Sequence, residues 1–267
     1  MKFVKQHSWE QEWADTLRQE KAYLQKNLHK KDSALNRTLE ERIPDTLQDT
    51  LDDAFSKAFA LIFEKGTGVI EQTYNKKRKA ALFQTHCAAV RKQGDRRTLQ
   101  APRKQTGLAA GRNLALSGVE GIGLGLLGIG LPDIPLFTAM ILKSLYEIAA
   151  GYGYSHRTQE ERRFLLQLIR TALSHGEALA AQNRALDRYI GLGRWDDATI
   201  LRRQIDATAR SLSGDLLYMK FLQGIPLAGA VGGAYDVIYL HRIQTYARIK
   251  YHKRFLLSRK NELAFYR

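Results

Sequence analysis

Apolar residues recur along much of this chain at spacings of three, four and seven, the period of helices with one buried face. Trp9, Trp13, Leu17, Leu24 and Leu28 follow it across residues 8–30, and Ser8 with Gln11 forms a capping-box pattern at the start. The two indoles fit either an interhelix contact or a membrane interface. A short helix over residues 33–42 is predicted to break at Ile43-Pro44. Pro44 and Asp45 then open the clearest amphipathic helix in the chain, with Leu47, Leu51, Ala54, Phe55, Ala58, Phe59, Ile62 and Phe63 in step and Gly66 as its stop. Another helix carries residues 80–90.

The pattern changes at residues 118–154. Between Glu120 and Lys143 lie 22 residues whose one charge is Asp133. A single helix of that length would span a bilayer. Pro132 and Pro135 interrupt it, and six glycines crowd residues 118–130, each costing a helix about 0.8–1 kcal/mol relative to Ala. The expectation is therefore a hairpin with arms at residues 107–131 and 134–150, closed by Gly151-Tyr152-Gly153. Small residues four apart (Gly107 and Gly111, Gly121 and Gly125) suit close helix packing in lipid or in a soluble core.

Beyond it, Thr158 with Glu161 caps a helix whose buried face holds Phe164, Leu165, Leu168, Ile169, Ala172 and Leu173. Gly176 interrupts. A further helix reaches about residue 190, Gly191-Leu192-Gly193 turns, a helix covers 196–212, and Ser213-Gly214-Asp215 starts a new one. A second glycine-rich stretch, 224–235, shares Ile-Pro-Leu with the first and is expected to pack against it. The last helix, 234–265, is long and basic, with Ile238, Ile243, Ala247 and Phe255 among its apolar positions. The fold class expected is all-α: a helical bundle built around a glycine-rich, proline-broken apolar hairpin.

Charge adds a candidate surface. Of a net charge of +15, residues 75–112 supply ten: eleven cations against Asp95 alone. Lys76, Lys77, Arg78, Lys79, Arg96, Arg97, Arg103 and Lys104 are the candidate anionic-surface residues, with Gly94-Asp95 and Pro102 predicted to form a loop among them. Basic residues running straight into an apolar segment match the cytoplasmic side of a membrane, where anionic lipid is the partner. A solvated basic face is the plainer alternative. Nucleic acid fits less well, because few aromatics interleave with the cations and no binding module is recognisable. Residues 1–106 form an N-terminal helical region and 107–267 the helical core. One cysteine excludes an internal disulfide framework, and the N-terminal residues lack the apolar run of a signal peptide, so a cytoplasmic protein is expected.

Candidate chemistry is sparse. The seven histidines fall in no metal-binding spacing, the closest pair being His175 and Glu177, and they are expected at the surface. Cys87, among alanines, is read as a buried thiol. No nucleophile elbow or P-loop is present. Neither metal nor cofactor is expected. Acids in apolar settings remain: Glu120, Asp133, Glu147 and Asp236. They could form a small polar site for a headgroup, cation or partner. Asp133 could equally cap the second arm, and Glu147 could pair with Lys143.

The run Gly121–Gly130, then Asp133-Ile134-Pro135, Ile148-Ala149 and Tyr152-Gly153, resembles the EcsC protein family. So do Ile225-Pro226, Gly229-Ala230, Gly232-Gly233 and the helix over 247–256; Asp236 stands where members often carry Asn. The clear resemblance covers about residues 107–165 and 213–258. It implies a bacterial accessory protein near the inner membrane face, since the family takes its name from an operon that also encodes two ABC-transporter components. It brings no established catalytic residues. The expected function is a non-enzymatic, membrane-associated accessory that assists or regulates such a transporter. The alternatives are a lipid-acting enzyme with an acidic site near Asp133, or nucleic-acid binding through the basic segment.

Overall fold

In chain order the helices are α1 (Gln6–Leu28), α2 (Asp45–Leu61), a π-helical turn (Ile62–Gly66), α3 (Thr67–Gln72), α4 (Lys76–Gln93), α5 (Arg96–Arg112), α6 (Asp133–Gly151), α7 (Gln159–Leu173), α8 (Gly176–Leu192), α9 (Leu201–Leu222) and α10 (Ala234–Ala264). The structure is a computed structural model that describes residues 6–28, 44–112, 133–195, 199–222 and 234–264. No strand occurs among these residues, so the fold is the expected all-α bundle.

The longest helix, α10, lies at the centre and packs against α1, α5, α6, α7 and α8. Apolar side chains leave it on every side: Tyr239, Ile243, Tyr246, Tyr251, Phe255 and Leu256 are all buried. A helix surrounded by partners has no polar stripe, and none is visible in its sequence. Helix α6, the second arm of the expected hairpin, also lies inside. Its segment Ile134–Gly151 is long and apolar enough to cross a bilayer, yet 83% of it is buried within the protein. Helix α2 uses its apolar face as expected, burying Ala54, Phe55, Ala58 and Phe59 against α9 and α6. Helix α7 begins at its predicted cap, where Thr158 Oγ1 accepts from the Glu161 amide at 3.2 Å.

Several boundaries differ from expectation, each for a local reason. Gly66 does not stop a helix. It keeps right-handed helical angles, and the π turn hands the chain on to α3, with Thr67 Oγ1 donating to the Ile62 carbonyl at 3.0 Å. Ser8 is inside α1, not at its cap. Pro102 sits within α5, not in a loop. The loop is only Gly94, at φ 59°, and Asp95, whose Oδ1 accepts from the Thr98 amide at 2.8 Å. Residues 107–112 continue α5 and do not begin a separate arm. Residues 213–215 run through the middle of α9, where buried Ser213 donates to Asp52 of α2. Ile238, one of the apolar positions noted in the last helix, is exposed. The indoles make an interhelix contact: Trp9 stacks on Trp13 at 5.2 Å and donates from Nε1 to the Leu256 carbonyl at 2.9 Å. The first arm beyond residue 112, the helix over 33–42 and the glycine-rich stretch up to residue 233 lie outside the described residues.

Candidate functional site

The basic helices α4 and α5 pack against each other and dock on the end of α6 at Gly151-Tyr152-Gly153. Both glycines have a physical reason. A Cβ at Gly151 would stand 2.7 Å from Thr106 Cγ2 of α5. Gly153 has φ +78°, and a side chain there would run into the Phe83 ring of α4. Between them Tyr152 turns inward, its ring 6.0 Å from Tyr251 and 6.1 Å from His252 of α10. The motif thus lets α5 and α4 approach on either side of one buried tyrosine.

Half of the eight predicted basic residues pair with acids, Lys79 and Arg103 while partly buried and Lys76 and Arg96 while exposed. Lys79 Nζ lies 3.2 Å from Glu147 of α6, and Lys76 lies 2.9 Å from Glu71. Arg96 and Arg103 each lie 3.3 Å from a Glu12 oxygen, and Arg96 also meets Asp15. Glu12 is fully buried; Gln100 donates to it at 2.8 Å, and His252 Nε2 lies 3.0 Å away. Burial alone would raise the Glu12 pKa, but the hydrogen bonds of His252 and Gln100 and the charge of Arg103 more than reverse this, and it falls.

The other half faces out. Lys77 and Arg78 are exposed, as are Arg91 and Lys92 on the same side of α4, opposite buried Cys87 and Val90. Arg97 and Lys104, seven residues apart on α5, are exposed opposite Leu99 and Thr106. The one acid of this segment, Asp95, is occupied as the α5 cap. The one aromatic of α4 and α5, Phe83, points inward, 6.2 Å from Phe255. The outer face therefore presents cations with neither acids nor rings among them.

The four predicted acids do not share one described site. Glu120 lies outside the described residues. Asp133 opens α6 and Asp236 lies in the first turn of α10, but their side chains are likewise outside the description. Glu147 is buried, and its described ion pair is with Lys79 across to α4. Nearby, His156 stacks on Tyr146 at 3.9 Å and its Nε2 lies 2.9 Å from Glu71 Oε1, off the line of a good hydrogen bond. Arg157 donates to Glu71, which with Lys76 holds that carboxyl down at about 2. Burial pushes His156 down to about 4 despite Glu71, so it is neutral at pH 7. His156 and His252 are both buried, which corrects the expectation of surface histidines. Among the described residues no group of three His, Cys, Asp or Glu side chains is arranged to hold a metal.

Sequence periodicity missed a buried charged seam. The buried face of α1 is Trp9, Glu12, Thr16, Glu20 and Tyr23, while Leu17 and Leu28 are exposed. Glu20 takes Lys250 and, at 2.6 Å, Lys253 from α10; Asp187 of α8 takes the same two at 2.6 and 2.8 Å. Glu161 accepts from Tyr251 and, at 2.7 Å, from Arg254, whose guanidinium lies 3.7 Å from the Tyr154 ring centroid. The available signal was that Glu12 and Glu20 keep helical register with Trp9, Thr16 and Tyr23, and so share their face.

The chain is thus an all-helical protein with a buried, charge-paired central helix and a cationic hairpin docked on a Gly-Tyr-Gly corner. The sequence pattern that defines the EcsC protein family matches residues 9–256, so the chain belongs to that family. No curated protein and no solved structure is significantly similar to it.

Proposed function

We propose that this EcsC family member is a non-enzymatic accessory at the cytoplasmic face of the membrane, that α4 and α5 meet anionic lipid there, and that it assists or regulates an ABC transporter. The observation that carries the lipid reading is the outer face of these helices: Lys77, Arg78, Arg91, Lys92, Arg97 and Lys104 are exposed with no acid among them. Such cations gain roughly 1 kcal/mol each beside an anionic surface. The burial of α6 argues for contact from the surface and against a crossing by that helix. The inward turn of Phe83 leaves no ring on this face for bases to stack on, which favours lipid over nucleic acid.

Vesicle flotation tests this. The protein is expected to float with phosphatidylglycerol-containing vesicles and to stay behind with pure phosphatidylcholine. Replacing Lys77, Arg78, Arg97 and Lys104 by Gln should remove about 4 kcal/mol, roughly a thousandfold in partitioning, with no change in fold. Equal behaviour with both vesicle types, or of both proteins, overturns the proposal.

A further inference from the structure

We infer that Glu12 is a latch: it holds Arg96 and Arg103 against α1, and anionic lipid at the outer face of α4 and α5 competes with it for these two arginines. The inference rests on the lipid reading above and concerns how that surface is regulated. Arg96, Gln100 and Arg103, four and three residues apart, form one stripe of α5, and all three reach Glu12 of α1. Arg97 and Lys104 each follow a latched arginine by one residue, so the outward stripe lies about 100° further round the helix. Arg96 and Arg103 therefore stand at the edge of the lipid-facing surface. Arg96 is exposed and Arg103 partly so, whereas Glu12 is fully buried and cannot follow them outward.

The groups around Glu12 hold it unequally. Gln100 Nε2 donates to Oε2 at 2.8 Å, and His252 Nε2 lies 3.0 Å from Oε1. Arg96 and Arg103 stand back at 3.3 Å, and Arg103 Nη1, though buried, closes no hydrogen bond. Charge-assisted bonds to a carboxylate ordinarily run at about 2.7–2.9 Å, so Glu12 holds these arginines mainly by charge. Arg96 also meets Asp15, which pairs with Arg18 as well. When both arginines turn outward, Glu12 keeps Gln100 and His252, and Asp15 keeps Arg18, so neither carboxylate is left without a partner. A lipid phosphodiester offers a guanidinium two oxygens for paired hydrogen bonds, which Glu12 does not give Arg103.

Flotation of the full chain with phosphatidylglycerol-containing vesicles tests the latch. Glu12→Gln keeps the side-chain shape and should raise partitioning roughly fivefold for each arginine released, about thirtyfold for both. Arg96→Gln with Arg103→Gln should change wild-type partitioning by less than about twofold, yet abolish the gain in the Glu12→Gln background. That difference separates release of the arginines from a bare change in net charge. Asp53→Asn removes an exposed acid of α2 instead and should leave partitioning within about twofold. Circular dichroism checks the fold of each variant. If Glu12→Gln does not fold, Asp15→Asn loosens Arg96 alone and should still exceed the Asp53→Asn control, by up to about fivefold; equality with that control overturns the latch. So does a folded Glu12→Gln that floats no better than wild type, or a pair of arginine substitutions with equal effect in both backgrounds. Wild type that stays behind overturns the lipid reading instead, and the latch then stands only if Glu12→Gln floats.

Discussion

Lys77, Arg78, Arg97 and Lys104 on the outside of α4 and α5 stand in water, whereas Lys250, Lys253 and Arg254 on α10 are enclosed by the protein. In the sequence the two regions look alike, as basic helices. They differ in what faces them. Glu20, Asp187 and Glu161 come from α1, α8 and α7, far away in sequence, and enclose the α10 cations. Among the described residues, no acid pairs with Lys77, Arg78, Arg97 or Lys104 on the outer face of α4 and α5. The effect shows in the α10 lysines. Burial lowers the pKa of Lys250, even with Glu20 and Asp187 opposing it; for the less enclosed Lys253 the same acids win and its pKa rises. A run of positive charge is thus a binding surface only where the fold leaves it uncovered.

The sharpest way to break the comparison is to remove an acid from the interior. Glu20→Ala leaves Lys250 and Lys253 with Asp187 alone, and urea unfolding should show a loss of about 3–5 kcal/mol. A change below about 1 kcal/mol would mean the seam behaves like a surface ion pair.

A smaller effect is expected where the two regions join. Gly153→Ala forces a side chain into a left-handed conformation and against Phe83, for a cost of about 2 kcal/mol in thermal or urea unfolding. Phe83→Ala in the same chain should recover only the steric part. If Gly153→Ala is neutral, α4 is not seated on this corner.

The smallest effect is a slope against pH. The folded pKa of His156 lies below its unfolded value, so its contribution is present above about 6.5 and is lost as pH falls toward about 4. Glu71 is also depressed, and its contribution disappears as pH falls from about 4.5 toward about 2. Stability should therefore decline in two successive windows on acidification. His156→Phe should flatten the upper window and leave the lower one; an unchanged upper slope would show that His156 is not the group responsible.

Much of the helical architecture was legible because it depends on neighbours in sequence. The α2 stripe, the Thr158 cap and the Gly-Tyr-Gly stop all follow from local sterics and periodicity. The misreadings have one origin. Pro102, Gly66 and residues 213–215 carry helix-breaking or helix-starting signals worth a few kcal/mol at most, and packing of the surrounding helix overrode them. Of the candidate site, the basic segment was legible as composition, but which of its cations face outward was not.

By itself, the sequence determined that the chain is helical, where most helices start and stop, that residues 75–112 concentrate its positive charge, and that it resembles one family. Periodicity and capping act over three or four residues, so they can be read without the fold. Only the tertiary structure decided that α1 buries Glu12 and Glu20, that α10 packs against five other helices, and that α6 is covered by protein. Those outcomes depend on which distant residues meet, because a buried charge is tolerated only when a partner from another helix arrives beside it.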